Sequence, residues 1–203
     1  MSNVQRELWF SVPFFYFDIE NSKELNRELV RDIYKWKEED KEGVERSNRY
    51  GWHSMIIMHL REEFNKITNA INDAQQAIAK EEGYDLDWPL IIESMWANVS
   101  PKHAYNTFHT HPNALWSGVY YVQCPEDCGR IKFPNVPDHH NKPIFKENSF
   151  SHPHQWSSVY YEPIEGRLIL FPSNRGHEVE QNLSDTDRIS ISFNSIQMHK
   201  DRI

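Results

Sequence analysis

Cysteine is almost absent from this 203-residue chain, which holds only Cys124 and Cys128, four positions apart. One pair excludes a disulfide scaffold. Without a second pair it also excludes a cysteine-based zinc site, and two reduced thiols in a turn are expected. Long apolar runs are missing too. Nothing approaches the roughly 20 residues that cross a bilayer, so no membrane partner is expected. The opening stretch MSNVQRELWF lacks the basic end and apolar core of a secretory leader, which predicts a cytoplasmic protein. Basic charge is in deficit: 22 Lys and Arg stand against 30 Asp and Glu, for a net charge of −8. A chain that grips a nucleic-acid backbone shows the opposite balance, so nucleic acid is not an expected partner. Internal repeats and low-complexity tracts are absent.

Aromatic residues are abundant. At 13% of the chain, seven of them Trp, they exclude a disordered polypeptide. The pattern predicts one domain over 1–203, with a strand and helical support in 1–88 and a β-sandwich core in 89–203. Residues 8–18 read as a strand interrupted by Pro13. Asn21 or Ser22 then offers an N-cap, and Leu25, Leu29, Ile33 and Trp36 follow at helical spacing up to the acidic run that ends at Gly43. A second helix is expected from the stripe Phe64, Ile67, Ile71, Ala74 and Ile78, with Gly83 as its C-cap. After Pro89 the pattern changes to short β-branched and aromatic runs: IIESMWANV, LWSGVYYVQ, GRIKF, GRLILF, HEVEQN and RISISFN. No helix-period stretch separates them, so they predict an antiparallel sandwich or barrel, mainly β with flanking helices (α+β). The section 134–158, rich in Pro, Asn, Ser and His, is expected to be a long loop.

Histidine supplies the candidate chemistry. Of the 11 in the chain, His103, His109, His111, His139, His140, His152 and His154 fall within 52 residues. On an extended segment His109 and His111 point to one face, so their imidazoles can converge. His177 follows an apolar strand and a turn, where a third ligand from a distant strand could complete a facial metal site. Eleven residues later, Arg188 and Ser190 share one face of a strand while Ile189 and Ile191 take the other. An arginine facing a sandwich interior is costly unless an anion meets it, and its planar fork suits a carboxylate. Glu178 is not expected to join the site, because it points away from the face of His177.

The order of these features resembles the 2-oxoglutarate/Fe(II)-dependent oxygenase superfamily. The stretches SNRYGWHS, WANV, HTHPNALWSGVYYV, LILFPS, HEVEQN and RISISFN are similar to a phage and bacterial branch of the prolyl-hydroxylase-like kind. The resemblance implies a double-stranded β-helix (jelly-roll, cupin-like) fold. It implies Fe(II) on His109, His111 and His177, and 2-oxoglutarate held at its far carboxylate by Arg188 and Ser190. Tyr121 matches a tyrosine that helps hold that carboxylate, with an ordinary core aromatic as the alternative. The implied reaction consumes O₂ and 2-oxoglutarate, releases succinate and CO₂, and hydroxylates a peptide, such as a prolyl residue, or a small molecule. Trp52 and His53 are candidates for either packing or substrate contact. His139, His140, His152 and His154 are expected in a lid loop.

One residue departs from the superfamily pattern. His111 stands where most members carry Asp or Glu, so three neutral ligands would leave the full charge on the metal. Neutral imidazoles still suit iron. The departure keeps an alternative open, a cupin-like protein that binds a metal or small acid without turnover.

Overall fold

Period-two alternation builds the two sheets at the centre of this molecule. The computed structural model describes residues 11–135, 152–153 and 156–202. Among them, β1 (Phe15–Asp18), β9 (Arg167–Pro172), β6 (Trp116–Gln123), β11 (Arg188–Gln197), β4 (Leu90–Ser100) and β3 (Trp52–His53) form a six-stranded sheet in that order. A five-stranded sheet runs β2 (Asn48–Arg49), β5 (Tyr105–His109), β10 (His177–Val179), β7 (Ile131–Pro134), β8 (Ser158–Tyr161). The strand pairings are antiparallel. From β4 onward the chain passes back and forth between the two sheets, which is the winding of a double-stranded β-helix.

Both expected helices pack on the outside of the large sheet. Helix α1 (Ser22–Glu39) buries Leu29, Ile33 and Trp36, and α2 (Asn65–Glu81) buries Ile67, Ile71, Ala74 and Ile78. They join Ile189, Ile191 and Phe193 of β11 in one core. Polar anchors pin the helices in place: Tyr120 donates to Asn26 Oδ1 at 2.7 Å, and Tyr34 donates to Asp187 at 2.8 Å. Gly118 sits under the Phe193 ring on this face, where a Cβ would collide with it. No helix among the described residues is long and apolar enough to cross a membrane.

The boundaries differ from the sequence pattern in places. Helix α1 stops at Glu39, because Asp40 leaves helical geometry and its carboxylate accepts from the Gly43 N–H at 3.2 Å. The rest of the acidic run makes a turn. The run HEVEQN is a strand only over His177–Val179; beyond it, buried Asn182 donates to the carbonyls of Ser100 and Thr186, tying down the chain. Residues 158–161, at the end of the expected loop, form β8 against β7. His139, His140 and His154 lie outside the described residues. Cys124 and Cys128 are free thiols in the connection between β6 and β7.

Candidate metal and cosubstrate site

Between the sheets lies a cavity of about 400 Å³. Its floor is the inner face of the large sheet. The ladders place Asn98, Ser190 and Tyr121 side by side in one cross-strand row, with Trp96, Ser192 and Val119 in the next. Arg188 stands one row further along, opposite Ser100. The alternation that sends Ile189 and Ile191 to the helices sends these residues inward.

The opposite wall carries the histidines. His109, at the end of β5, faces His177, at the start of β10, as direct cross-strand partners. His111 follows just beyond β5, its N–H donating to the Ser173 carbonyl at 3.0 Å. One nitrogen from each ring lies within 4.8 Å of the others. Ring centroids are 4.3 Å apart for His109 and His177, and 5.2 Å for His111 and His177.

Two of the rings have their tautomer set by the backbone. His109 Nδ1 lies 2.7 Å from the Thr107 carbonyl and His177 Nδ1 lies 3.0 Å from the Arg175 carbonyl. A carbonyl only accepts, so each Nδ1 carries the proton and each Nε2 keeps its lone pair as an acceptor that a metal could take. Burial and mutual repulsion hold the imidazoles neutral: His177 is pushed down to about 3 and His111 to about 4, while His109 is lowered chiefly by burial. Three neutral, converging nitrogen donors fit a divalent transition metal.

The arginine has an unusual setting. Arg188 is 2% exposed, and its Nη1 donates to the carbonyls of Cys128, Gly129 and Glu180. Those carbonyls converge because the 124–129 turn uses left-handed residues, Asp127 and Gly129, to press against Glu180. No carboxylate among the described residues lies within ion-pair distance of the guanidinium. A buried cation without a counter-charge is costly. Arg188, Ser190 and Tyr121 all line the cavity that the three histidines face. Burial raises the Tyr121 phenol above its ordinary range, so it is a neutral donor.

Other residues divide plainly. Trp52 is a packing residue, edge-on to Trp36 with its indole N–H donating to the Asp40 carbonyl at 2.6 Å. Its neighbour His53 points the other way, lines the cavity and lies flat on Trp96, with ring centroids 5.3 Å apart. Glu178 turns outward to Lys132 at 2.7 Å. His103 and His152 do not line the cavity. Sequence reasoning missed Ser47, whose hydroxyl is 3.4 Å from His109 Nε2, and Asn98. Ser47 precedes a two-residue strand too short to announce itself, whereas the alternation through Trp96 and Asn98 was readable once β4 had been assigned.

The fold matches known proteins. Residues 94–194 match the family described as "Putative 2OG-Fe(II) oxygenase". No curated protein matches the sequence. Among solved structures, the chain is similar to a Pseudomonas putida prolyl-4-hydroxylase, with 16% identity, a TM-score of 0.63, and coverage of 92% of this chain and 94% of that one. It is also similar to the 2-oxoglutarate complex of a viral collagen prolyl hydroxylase from Paramecium Bursaria Chlorella virus-1 (14% identity, TM-score 0.61, 90% and 94% covered). The α-ketoglutarate-dependent epimerase SnoN from nogalamycin biosynthesis gives 12% identity and a TM-score of 0.65, with 91% and 76% covered. At such identities the structures establish a shared fold, and the family match establishes the chemical class. The chain is a member of the 2OG-Fe(II) oxygenase superfamily.

Proposed function

We propose that the protein is an Fe(II)- and 2-oxoglutarate-dependent dioxygenase whose metal is held by His109, His111 and His177. The observation that carries this reading is one cavity lined by three neutral, converging imidazoles and a buried arginine that has no carboxylate partner among the described residues. Bound iron supplies the oxidative chemistry: 2-oxoglutarate and O₂ become succinate and CO₂, and one oxygen atom enters a substrate C–H bond. The protein's own work is placement. The carbonyls of Thr107 and Arg175 aim the His109 and His177 rings. Arg188 forks onto the far carboxylate, while the Ser190 and Tyr121 hydroxyls donate to the same group. The dianion supplies the charge that three neutral ligands leave uncompensated. The Trp96 and His53 rings and Phe171 wall the cavity against water.

For the substrate, we favour a peptide side chain presented at the mouth. Ile56 lines the cavity, and next to it Met55 and Ile57 are exposed on the same loop, an apolar rim suited to a flanking chain. One neighbour of the same fold, a Trichoplax adhaerens prolyl hydroxylase, is in complex with a peptide fragment. The test is succinate release from 2-oxoglutarate with iron, ascorbate and O₂, in the wild type and in His111→Ala. Release by the wild type alone supports the reading. Equal release by both removes His111 from the ligand set. Binding of metal and 2-oxoglutarate without any succinate, in the presence of a peptide pool, favours the non-catalytic cupin-like alternative.

A further inference from the structure

The side chain of Asn98 is underused for a buried amide. It is 8% exposed, its Nδ2 makes one hydrogen bond, to Ser192 Oγ at 3.2 Å, and its Oδ1 is buried without any partner. A buried amide that leaves most of its capacity unspent costs free energy, so one that faces a cavity is a place where a partner from the cavity would be favoured. Asn98 lines the cavity. It stands directly across the ladder from Ser190, which in turn faces Tyr121. Cross-strand neighbours hold their Cβ atoms about 4.5–5.5 Å apart, so the amide lies within reach of any group that Ser190 touches.

We infer that Asn98 is a further binding residue for 2-oxoglutarate, donating an amide N–H to the carboxylate beside Ser190. This rests on the oxygenase reading above. A carboxylate only accepts hydrogen bonds, so the nitrogen, not the oxygen, must face it. A half-turn of the amide makes that arrangement complete. Oδ1 then takes over the contact with Ser192, whose hydroxyl becomes the donor, and Nδ2 turns to the position where the orphaned oxygen now lies. The row would then offer three neutral donors, Asn98, Ser190 and Tyr121, next to the guanidinium of Arg188. Nothing in this row is anionic, so the whole of it is complementary to a carboxylate.

The discriminating experiment is calorimetric titration of 2-oxoglutarate, without oxygen, into Mn(II)-loaded wild type, Asn98→Ala and Asn98→Asp. Thermal melts and Mn(II) affinity report whether each variant is folded and metal-competent. Loss of a hydrogen bond to a charged group predicts about tenfold weaker binding for the Ala variant. Asp is nearly the same size but cannot donate when ionised and repels the dianion, so it should lose roughly a further tenfold. An Asp variant that binds as well as the wild type overturns the inference and makes Asn98 an acceptor for some other group. Equal losses for Ala and Asp also overturn it, as a purely structural role. If one variant misfolds, Asn98→Ser, which keeps a donor, should retain more affinity than Ala; if it does not, the inference falls. Wild type that binds Mn(II) but not 2-oxoglutarate defeats the oxygenase reading itself, an outcome separate from the other three.

Discussion

The two faces of strand β11 show how one segment serves stability and chemistry at once. Outward, Ile189, Ile191 and Phe193 are completely buried against the helices and their neighbours in the large sheet. Inward, Arg188, Ser190, Ser192 and Asn194 line the cavity. Some of that inner face is already satisfied: Asn194 accepts from Ser117 at 2.8 Å and donates to Ser94 at 3.2 Å. Arg188 and Asn98 are not: among the described residues the guanidinium meets carbonyls but no carboxylate, and the amide oxygen meets no donor. The outer face is finished by folding alone. On the proposed function the inner face is completed by a ligand, so substitutions on the two faces should separate stability from binding.

The largest separation is expected from Ile191→Ala. Removing a fully buried branched side chain should cost about 2–5 kcal/mol of stability. Chemical denaturation measures that loss, and the folded fraction should bind metal with unchanged affinity. A comparable loss of metal affinity would mean that the two faces are coupled. His177→Ala is the inverse. It removes one of the three proposed ligands, so metal affinity should fall by at least ~100-fold. The metal-free protein should melt close to the wild type, as followed by metal titration and thermal scans.

Arg188→Lys tests the boundary between the faces. The charge stays but the fork is lost, so 2-oxoglutarate should bind roughly tenfold or more weakly, with metal affinity retained. The Nη1 bonds to Cys128, Gly129 and Glu180 are lost as well, so this variant alone among inner-face changes should also lower the melting point.

The pH response follows from the buried imidazoles. His111 and His177 titrate below the ordinary 6.5, so the unfolded chain binds more protons than the folded one in the window from about 6.5 down to about 4. Stability of the metal-free protein should therefore be level above that window and fall as pH drops through it. His177→Ala should flatten the slope of the melting point against pH. The smallest effect is expected for Glu178→Gln on the outside of β10. Its bond to Lys132 is partly exposed, so stability should change by under about 1 kcal/mol. Metal content should not change, and a loss of metal would place a carboxylate in the site after all.

Legibility in the sequence tracked the strength of the local pattern. The stripe from Leu29 to Trp36 and that from Ile67 to Ile78 announced both helices, because a buried helical face repeats over several turns. The long strands β4, β6 and β11 were equally plain. Strands β2, β3 and β8 were not, since two to four residues give no usable period and their order comes from pairing with distant partners. The same division runs through the site. His109 and His111 could be paired from spacing, and Arg188 with Ser190 from alternation, because both relations are local. Asn98 could not be singled out, since its significance comes from Ser190, 92 residues away, as its ladder partner.

By itself, then, the order of residues determined the two helices, the inward set of each long strand and the identity of the candidate ligands, all consequences of short-range periodicity. Tertiary structure alone decided that β5 and β10 lie side by side, bringing His109 and His177 ring to ring. It also decided that the 124–129 turn and Glu180 would bring carbonyls to Arg188 and, among the described residues, no carboxylate. Those arrangements depend on which distant strands pair and in which register, and register is set by burying one face of every strand at once rather than by any stretch of sequence read alone.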